Sequence, residues 1–146
     1  MTVVLAFSLT LALLSQSASC RKAGAEENVS GERIQSAQAG TSWGGEHVRA
    51  DVEAERVSFE FDCAHGAAGG PLALGTDGRF DLEGFFVAER GGPVRAGQKE
   101  KRQPARYSGR VEGETMTLSV TLTESGDSVG TFTLTRGRPA RLTKCL

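Results

Sequence analysis

Thr115-Met116-Thr117-Leu118-Ser119-Val120-Thr121-Leu122-Thr123 is the stretch that decides the fold. Apolar and hydroxyl side chains alternate along its whole length. In an extended chain every apolar group then falls on one face and every hydroxyl on the other. A helix would scatter the same residues around its circumference. Phe132 and Leu134 repeat the pattern between Thr131, Thr133 and Thr135. Val57, Phe59, Phe61 and Cys63 alternate with Ser58, Glu60 and Asp62, and Phe80, Leu82, Gly84, Phe86 and Ala88 with Asp81, Glu83 and Glu89. One wet and one dry face per segment is the mark of half-buried antiparallel strands.

Turn chemistry separates these runs. Asp77-Gly78, Glu112-Gly113-Glu114 and Ser125-Gly126-Asp127 are tight-reversal signals, and Pro71 and Pro93 each follow a Gly-Gly pair. The spacing predicts strands over 43–51, 54–63, 71–75, 79–89, 105–112, 115–124, 128–136 and 140–145. The expectation is all-β: an antiparallel up-and-down barrel of about eight strands, with a β-sandwich as the alternative. Tight connections favour the barrel because they pair sequential neighbours.

Upstream of this body the chain begins with an uncharged apolar run, Val3 to Leu14, followed by Ser15-Gln16-Ser17-Ala18-Ser19 and Cys20. A run of twelve residues falls short of the roughly 20 of a membrane-spanning helix and suits the apolar region of a secretory signal. Small side chains at Ser17 and Ser19 suit a signal peptidase that cuts before Cys20. The segment resembles a bacterial lipoprotein signal, in which the residue after the cut is a lipid-bearing cysteine. Ser17 stands where that family usually has Leu, and no Lys or Arg precedes the apolar run. The resemblance implies export to the periplasm or cell envelope and anchoring in a membrane through a lipid on Cys20, with no other cofactor expected. The domain plan is then a signal over 1–19, a flexible tether over 20–42 and one barrel domain over 43–146. The tether is polar and small and lacks the apolar stripe of a stable helix.

Cysteine parity bears on the same point. The chain has three cysteines, an odd number for an exported protein. If Cys20 carries lipid, Cys63 and Cys145 remain to form a disulfide in an oxidising compartment. A Cys20-to-Cys20 dimer or a free thiol is the alternative.

The net charge is −1, which argues against a dedicated nucleic-acid partner. Its distribution is uneven. Arg90, Arg95, Lys99, Lys101, Arg102, Arg106 and Arg110 crowd one stretch, while acids dominate between Glu46 and Asp62. The basic stretch is a candidate anion site, or a contact for an acidic surface such as phospholipid headgroups, and the 90–104 connection within it is the longest in the body.

Both histidines sit near acids, as Glu46-His47 and Asp62-Cys63-Ala64-His65. His47, His65 and Asp62 form the candidate metal set, since imidazole and carboxylate together suit zinc or a similar ion. Neither an HExxH nor a CxxC pair is present, Gly-x-Ser-x-Gly is absent, and no catalytic residue is assigned. Trp43 follows Gly40-Thr41-Ser42 at the start of the first expected strand. This layout resembles the calycin group of small barrels, in which a Trp near the first strand plugs the closed end; the resemblance implies a small-molecule cavity. Three readings follow: a binding module for a small apolar ligand or a protein partner, a structural or inhibitory envelope protein acting through the 90–104 loop, and a metal-dependent enzyme.

Overall fold

Alternating apolar residues bury one face when the sheet curls around it or packs on another sheet, and here it curls into a closed barrel. The computed structural model describes residues 35–36, 39–89, 92 and 100–145, which belong to one folded unit, Gly31–Leu146. Ten strands follow in chain order: β1 (Gln35–Ser36), β2 (Thr41–Gly45), β3 (Val48–Val52), β4 (Arg56–Phe61), β5 (Ala64–Gly69), β6 (Ala73–Leu74), β7 (Arg79–Ala88), β8 (Gln103–Glu112), β9 (Thr115–Leu122) and β10 (Ser128–Arg136). Eight of them close the barrel in the order β10-β2-β3-β4-β5-β7-β8-β9, and β1 pairs with β6 in a separate two-stranded sheet. Every strand pair is antiparallel. No helix occurs among the described residues.

The expected strand count is met by a different set of segments. The run expected as one strand over 43–51 is two, β2 and β3, reversed at Glu46-His47. His47 carries the reversal with a left-handed backbone, φ 68°, at a place where Gly, Asn or Asp would be the usual signal. Ala64–Gly69 is a strand that shows no β-branched or aromatic residue, and its small side chains hid it. Of the expected strand 71–75 only Ala73–Leu74 is extended, and it lies outside the barrel. The expected strand 140–145 is a strap with one parallel bridge, Glu46 to Arg141. The expected tether overlaps structure at its end, because Gln35–Ser36 pairs with Ala73–Leu74 and β2 begins at Thr41. Backbone pairing of this kind needs no apolar stripe. The signal over 1–19, Cys20, and Arg90, Arg95 and Lys99 lie outside the described residues.

Inside the barrel, large and small residues are matched across strands. Phe61, Phe59 and Val57 of β4 stand directly opposite Ala64, Gly66 and Ala68 of β5. The space those small residues leave is taken by Tyr107 of β8, which is fully buried. Its ring stacks on Phe59, with centroids 4.2 Å apart and planes 4° from parallel. Its hydroxyl donates to the Phe85 carbonyl oxygen at 2.7 Å, which satisfies the one polar group the ring brings inside. Burial pushes the hydroxyl's pKa far above the ordinary tyrosine value. A Cβ on Gly66 would fall on the Tyr107 hydroxyl and on the Phe85 carbonyl.

The two ends of the barrel differ. At one, Trp43 is fully buried beneath the Arg136 guanidinium, whose carbon lies 4.9 Å from the ring centroid. Arg136 also pairs with Glu114 at 3.6 Å, and Leu72, from the connection between β5 and β7, is buried against the same core. At the other end Phe61 meets Phe86 at 5.6 Å and Phe132 at 5.4 Å, with half-buried Leu122 and Val129 beside them.

Gly66→Ala is expected to lower stability by about 1–3 kcal/mol through overpacking. Urea unfolding should show a lower midpoint at unchanged slope, and an unmoved midpoint would mean that the Tyr107 ring is free to slide.

Candidate functional site

His47, Asp62 and His65 all lie near the aromatic end of the barrel, where a C-terminal strap crosses it. The strap turns back after β10, with the Gly137 amide donating to the Ser42 carbonyl at 2.8 Å. It passes over β2 at Gly44, where an added Cβ would fall on the backbone of Arg138, Pro139 and Ala140. Arg141 then takes over the turn between β2 and β3. Its amide donates to the Gly45 carbonyl at 3.0 Å, and its carbonyl accepts from the His47 amide at 2.8 Å. Its guanidinium pairs with Glu46 at 3.2 Å.

Beyond Arg141 the strap reaches the turn between β4 and β5. The Thr143 amide donates to Asp62 Oδ1 at 2.8 Å, and Lys144 Nζ donates to the Phe61 carbonyl at 3.0 Å while pairing with Glu60 at 2.9 Å. Cys145 closes the path in a disulfide with Cys63, Cα atoms 5.2 Å apart, across a sequence separation of 82. The pairing expected from cysteine parity is therefore present, while Cys20 lies outside the described residues.

The expected metal set is not assembled. His47 Nδ1 lies 2.6 Å from Asp62 Oδ2, but His65 belongs to another group. Its Nδ1 is 2.8 Å from Glu89 Oε1 and its Nε2 is 3.8 Å from Glu100 Oε1. The reason lies in the registers. His47 sits in the turn before β3, whereas His65 pairs with Glu60 and Val87 on the outer wall. Among the described residues no three His, Cys, Asp or Glu side chains converge to hold a metal ion. Spacing along the chain gave no signal for Glu89 or Glu100, the partners that His65 does have.

Asp62 is instead a structural acceptor. The Thr143 amide is the main influence holding its carboxyl below the ordinary value of 3.8, opposed by partial burial and aided by His47 and Lys144.

Of the candidate anion loop, Lys101 and Arg102 are described, and both are exposed. Arg102 lies over the outward-facing Phe85 ring, 4.4 Å from its centroid. Val87, two residues on, is 4% exposed although it points away from the barrel interior. The loop's first root is tied down as well, since the Glu89 amide donates to the Cys63 carbonyl at 2.8 Å. Next to it an open cleft of about 340 Å³ runs over β4, β5 and β7, lined by Glu60, His65, Ala67, Phe85 and Glu89 among others. The described roots of the loop, Glu89 and Arg102, are held against a mixed polar and aromatic wall.

Because Asp62 has a lower pKa folded than unfolded, its contribution to stability is complete above the ordinary carboxylate value and is lost as pH falls through the folded one. Equilibrium unfolding from pH 6 downward should show this acid loss. Asp62→Asn, which keeps an acceptor for Thr143 but loses the charge, should flatten it. Parallel pH curves for the two proteins would remove Asp62 from this role.

Comparison with protein-family models, curated proteins and solved structures returns no match for this chain. What the site does is read from its own geometry.

Proposed function

We propose that the chain is an exported, lipid-anchored β-barrel binding module that meets its ligand on the outside of the wall or at its rim. The observation that carries this reading is the Cys63–Cys145 disulfide. A disulfide is kept in an oxidising compartment, and this pairing leaves Cys20 as the remaining cysteine of the three. That is the residue on which a lipid is expected after signal cleavage.

The stacked pair Phe59 and Tyr107 bears on where a ligand would sit. An eight-stranded barrel is just wide enough either to fill with side chains or to hold one small ligand. Here buried aromatic rings occupy the middle, so the calycin-like inner cavity for a small apolar ligand is the less favoured version. A second reading, an envelope protein that works through the 90–104 loop, draws support from Arg102 on Phe85 and from buried Val87. The Arg102 contact holds the loop's end against the wall. The metal-dependent enzyme reading loses its support because His47 and His65 answer to different carboxylates.

Intact mass of the protein expressed with its own signal, under non-reducing conditions, tests the main reading. The expected species starts at Cys20, carries a diacylglyceryl group and is two hydrogens lighter for one disulfide. It should fractionate with membranes, and Cys20→Ala should release it. An uncleaved chain, or unmodified Cys20 in the soluble fraction, would overturn the proposal. Removing the disulfide by Cys63→Ser with Cys145→Ser should cost about 4–5 kcal/mol of stability in the chain-entropy picture, measured by urea unfolding of the two proteins.

A further inference from the structure

On the wall opposite the strap, charge breaks the rule that the rest of the barrel follows. Where two charged residues oppose one another elsewhere on the outer faces, they are of opposite sign: Arg49 faces Glu60 and Glu83 faces Arg106. Asp81 is also taken by Arg106, whose Nε and Nη2 donate to its two carboxylate oxygens, and those bonds hold the Asp81 carboxyl below its ordinary range. Arg79 of β7 and Arg110 of β8, by contrast, stand directly across from one another. Like charges so placed, with Cβ atoms only about 5 Å apart, destabilise a sheet.

The two guanidiniums are nevertheless held in place by a shared support. Asp77 pairs with Arg79 Nε through its carboxylate at 3.0 Å, and its carbonyl accepts from Arg110 Nε at 2.8 Å. Glu112 holds one terminal nitrogen of Arg110 at 3.1 Å. These contacts engage Nε of Arg79 and Nε and one terminal nitrogen of Arg110, and both side chains remain exposed. Thr117 of β9 continues the same cross-strand row, opposite Arg110, and Ser108 lies on the same outer face one row along, opposite Asp81. The row borders a cleft of about 560 Å³ with Phe80 and Gly109 at its floor and Ala73 of β6 at its side.

We propose that this cleft binds a phosphate group, with Arg79 and Arg110 bridged by the oxyanion and the Thr117 and Ser108 hydroxyls donating to it. The geometry supplies what such a group requires. Two fixed guanidiniums offer charge-assisted N–H donors in a planar fork, and the ligand's negative charge removes the repulsion between them. Asp77 acts as a positioning residue that orients both. Arg79 opens β7 and Arg110 lies near the end of β8, away from the described roots of the 90–104 connection, and the site stands without reference to export or lipid on Cys20. The same chemistry is carried by a soluble phosphorylated compound and by a phospholipid headgroup.

The test uses the full chain, purified in detergent, with isothermal titration and thermal unfolding. Inorganic phosphate and glycerol phosphate are compared with chloride at matched ionic strength, and phosphatidylglycerol vesicles with phosphatidylcholine vesicles. Saturable binding of the phosphates is expected, weakened at least about tenfold by Arg79→Gln or Arg110→Gln as a charge-assisted contact is lost. Arg49→Gln, a change on another strand, should leave it intact. A response to the soluble phosphates alone identifies a soluble ligand, and an Arg-dependent preference for the anionic vesicles identifies a headgroup; either supports the site. Without ligand, Arg79→Gln should unfold at the same temperature as the parent or higher, because it relieves the repulsion, so loss of binding is separable from loss of folding. A response equal in chloride, or one unchanged in both Arg variants, overturns the proposal.

Discussion

The hydrogen bond from Tyr107 to the Phe85 carbonyl, made by a ring lying flat on Phe59, governs how this barrel is built. A tyrosine ring can cross the middle of a barrel only if its hydroxyl finds an acceptor there and if the facing strand has no side chains in the way. β5 meets the second condition by presenting Ala64, Gly66 and Ala68 inward. β7 helps by presenting Gly84 in the same zone, where a Cβ would run into the backbone of Ala67 and Ala68. The composition of two strands is thus a consequence of one aromatic ring on a third. The result is a barrel whose middle is filled by packed aromatic rings.

Closure of the barrel rests on a shorter contact than any other in it. β10 and β2 share three residue pairs, Leu134 to Gly45, Thr135 to Gly44 and Arg136 to Trp43, whereas β8 and β9 share eight. The strap reinforces this seam from outside. It leaves β10, lies across β2 at Gly44, and ends in a covalent bond to the turn beyond β4. Because the disulfide joins points 82 residues apart, it restricts the unfolded chain over most of the barrel's length. A weak seam in the folded state and a constrained unfolded state therefore offset one another. The bareness of Gly44 is what lets the strap lie close enough to form the Arg141 hydrogen bonds.

Much of the architecture was legible in the pattern of residues, and the gaps have physical causes. The long strands β7, β8, β9 and β10 were visible because alternation reports burial of one face, and burial is what a barrel imposes. β5 was invisible because its task is to be small, and small residues carry no strand signature. The split of 43–51 was missed because the reversal is made by Glu46-His47, which lacks turn chemistry, and is stabilised by Arg141 from 95 residues away. The Cys63–Cys145 pairing could be expected from cysteine parity once Cys20 was assigned to lipid, and that step needs no geometry. The histidine partners could not. His47 and His65 each sit beside an acid in sequence, yet His65 pairs with Glu89 across 24 residues, a neighbour that only strand register creates.

That register also explains why the aromatic end is a firm collar. The turn between β2 and β3 is held by Arg141, the turn between β4 and β5 by Thr143, Lys144 and Cys145, and the exit of β7 by the bond from Glu89 to the Cys63 carbonyl. Three connections from distant parts of the chain are therefore fastened to one another by hydrogen bonds and a single covalent link. His65, between Glu89 and Glu100, joins both roots of the longest connection to β5. A loop whose two roots are fixed in this way loses less freedom on binding than one hung from loose ends, because part of the ordering has been done by the fold. Recognition residues carried on loops are most effective when a rigid scaffold presents them. The strap is the element that fastens these connections to one another at this end of the barrel.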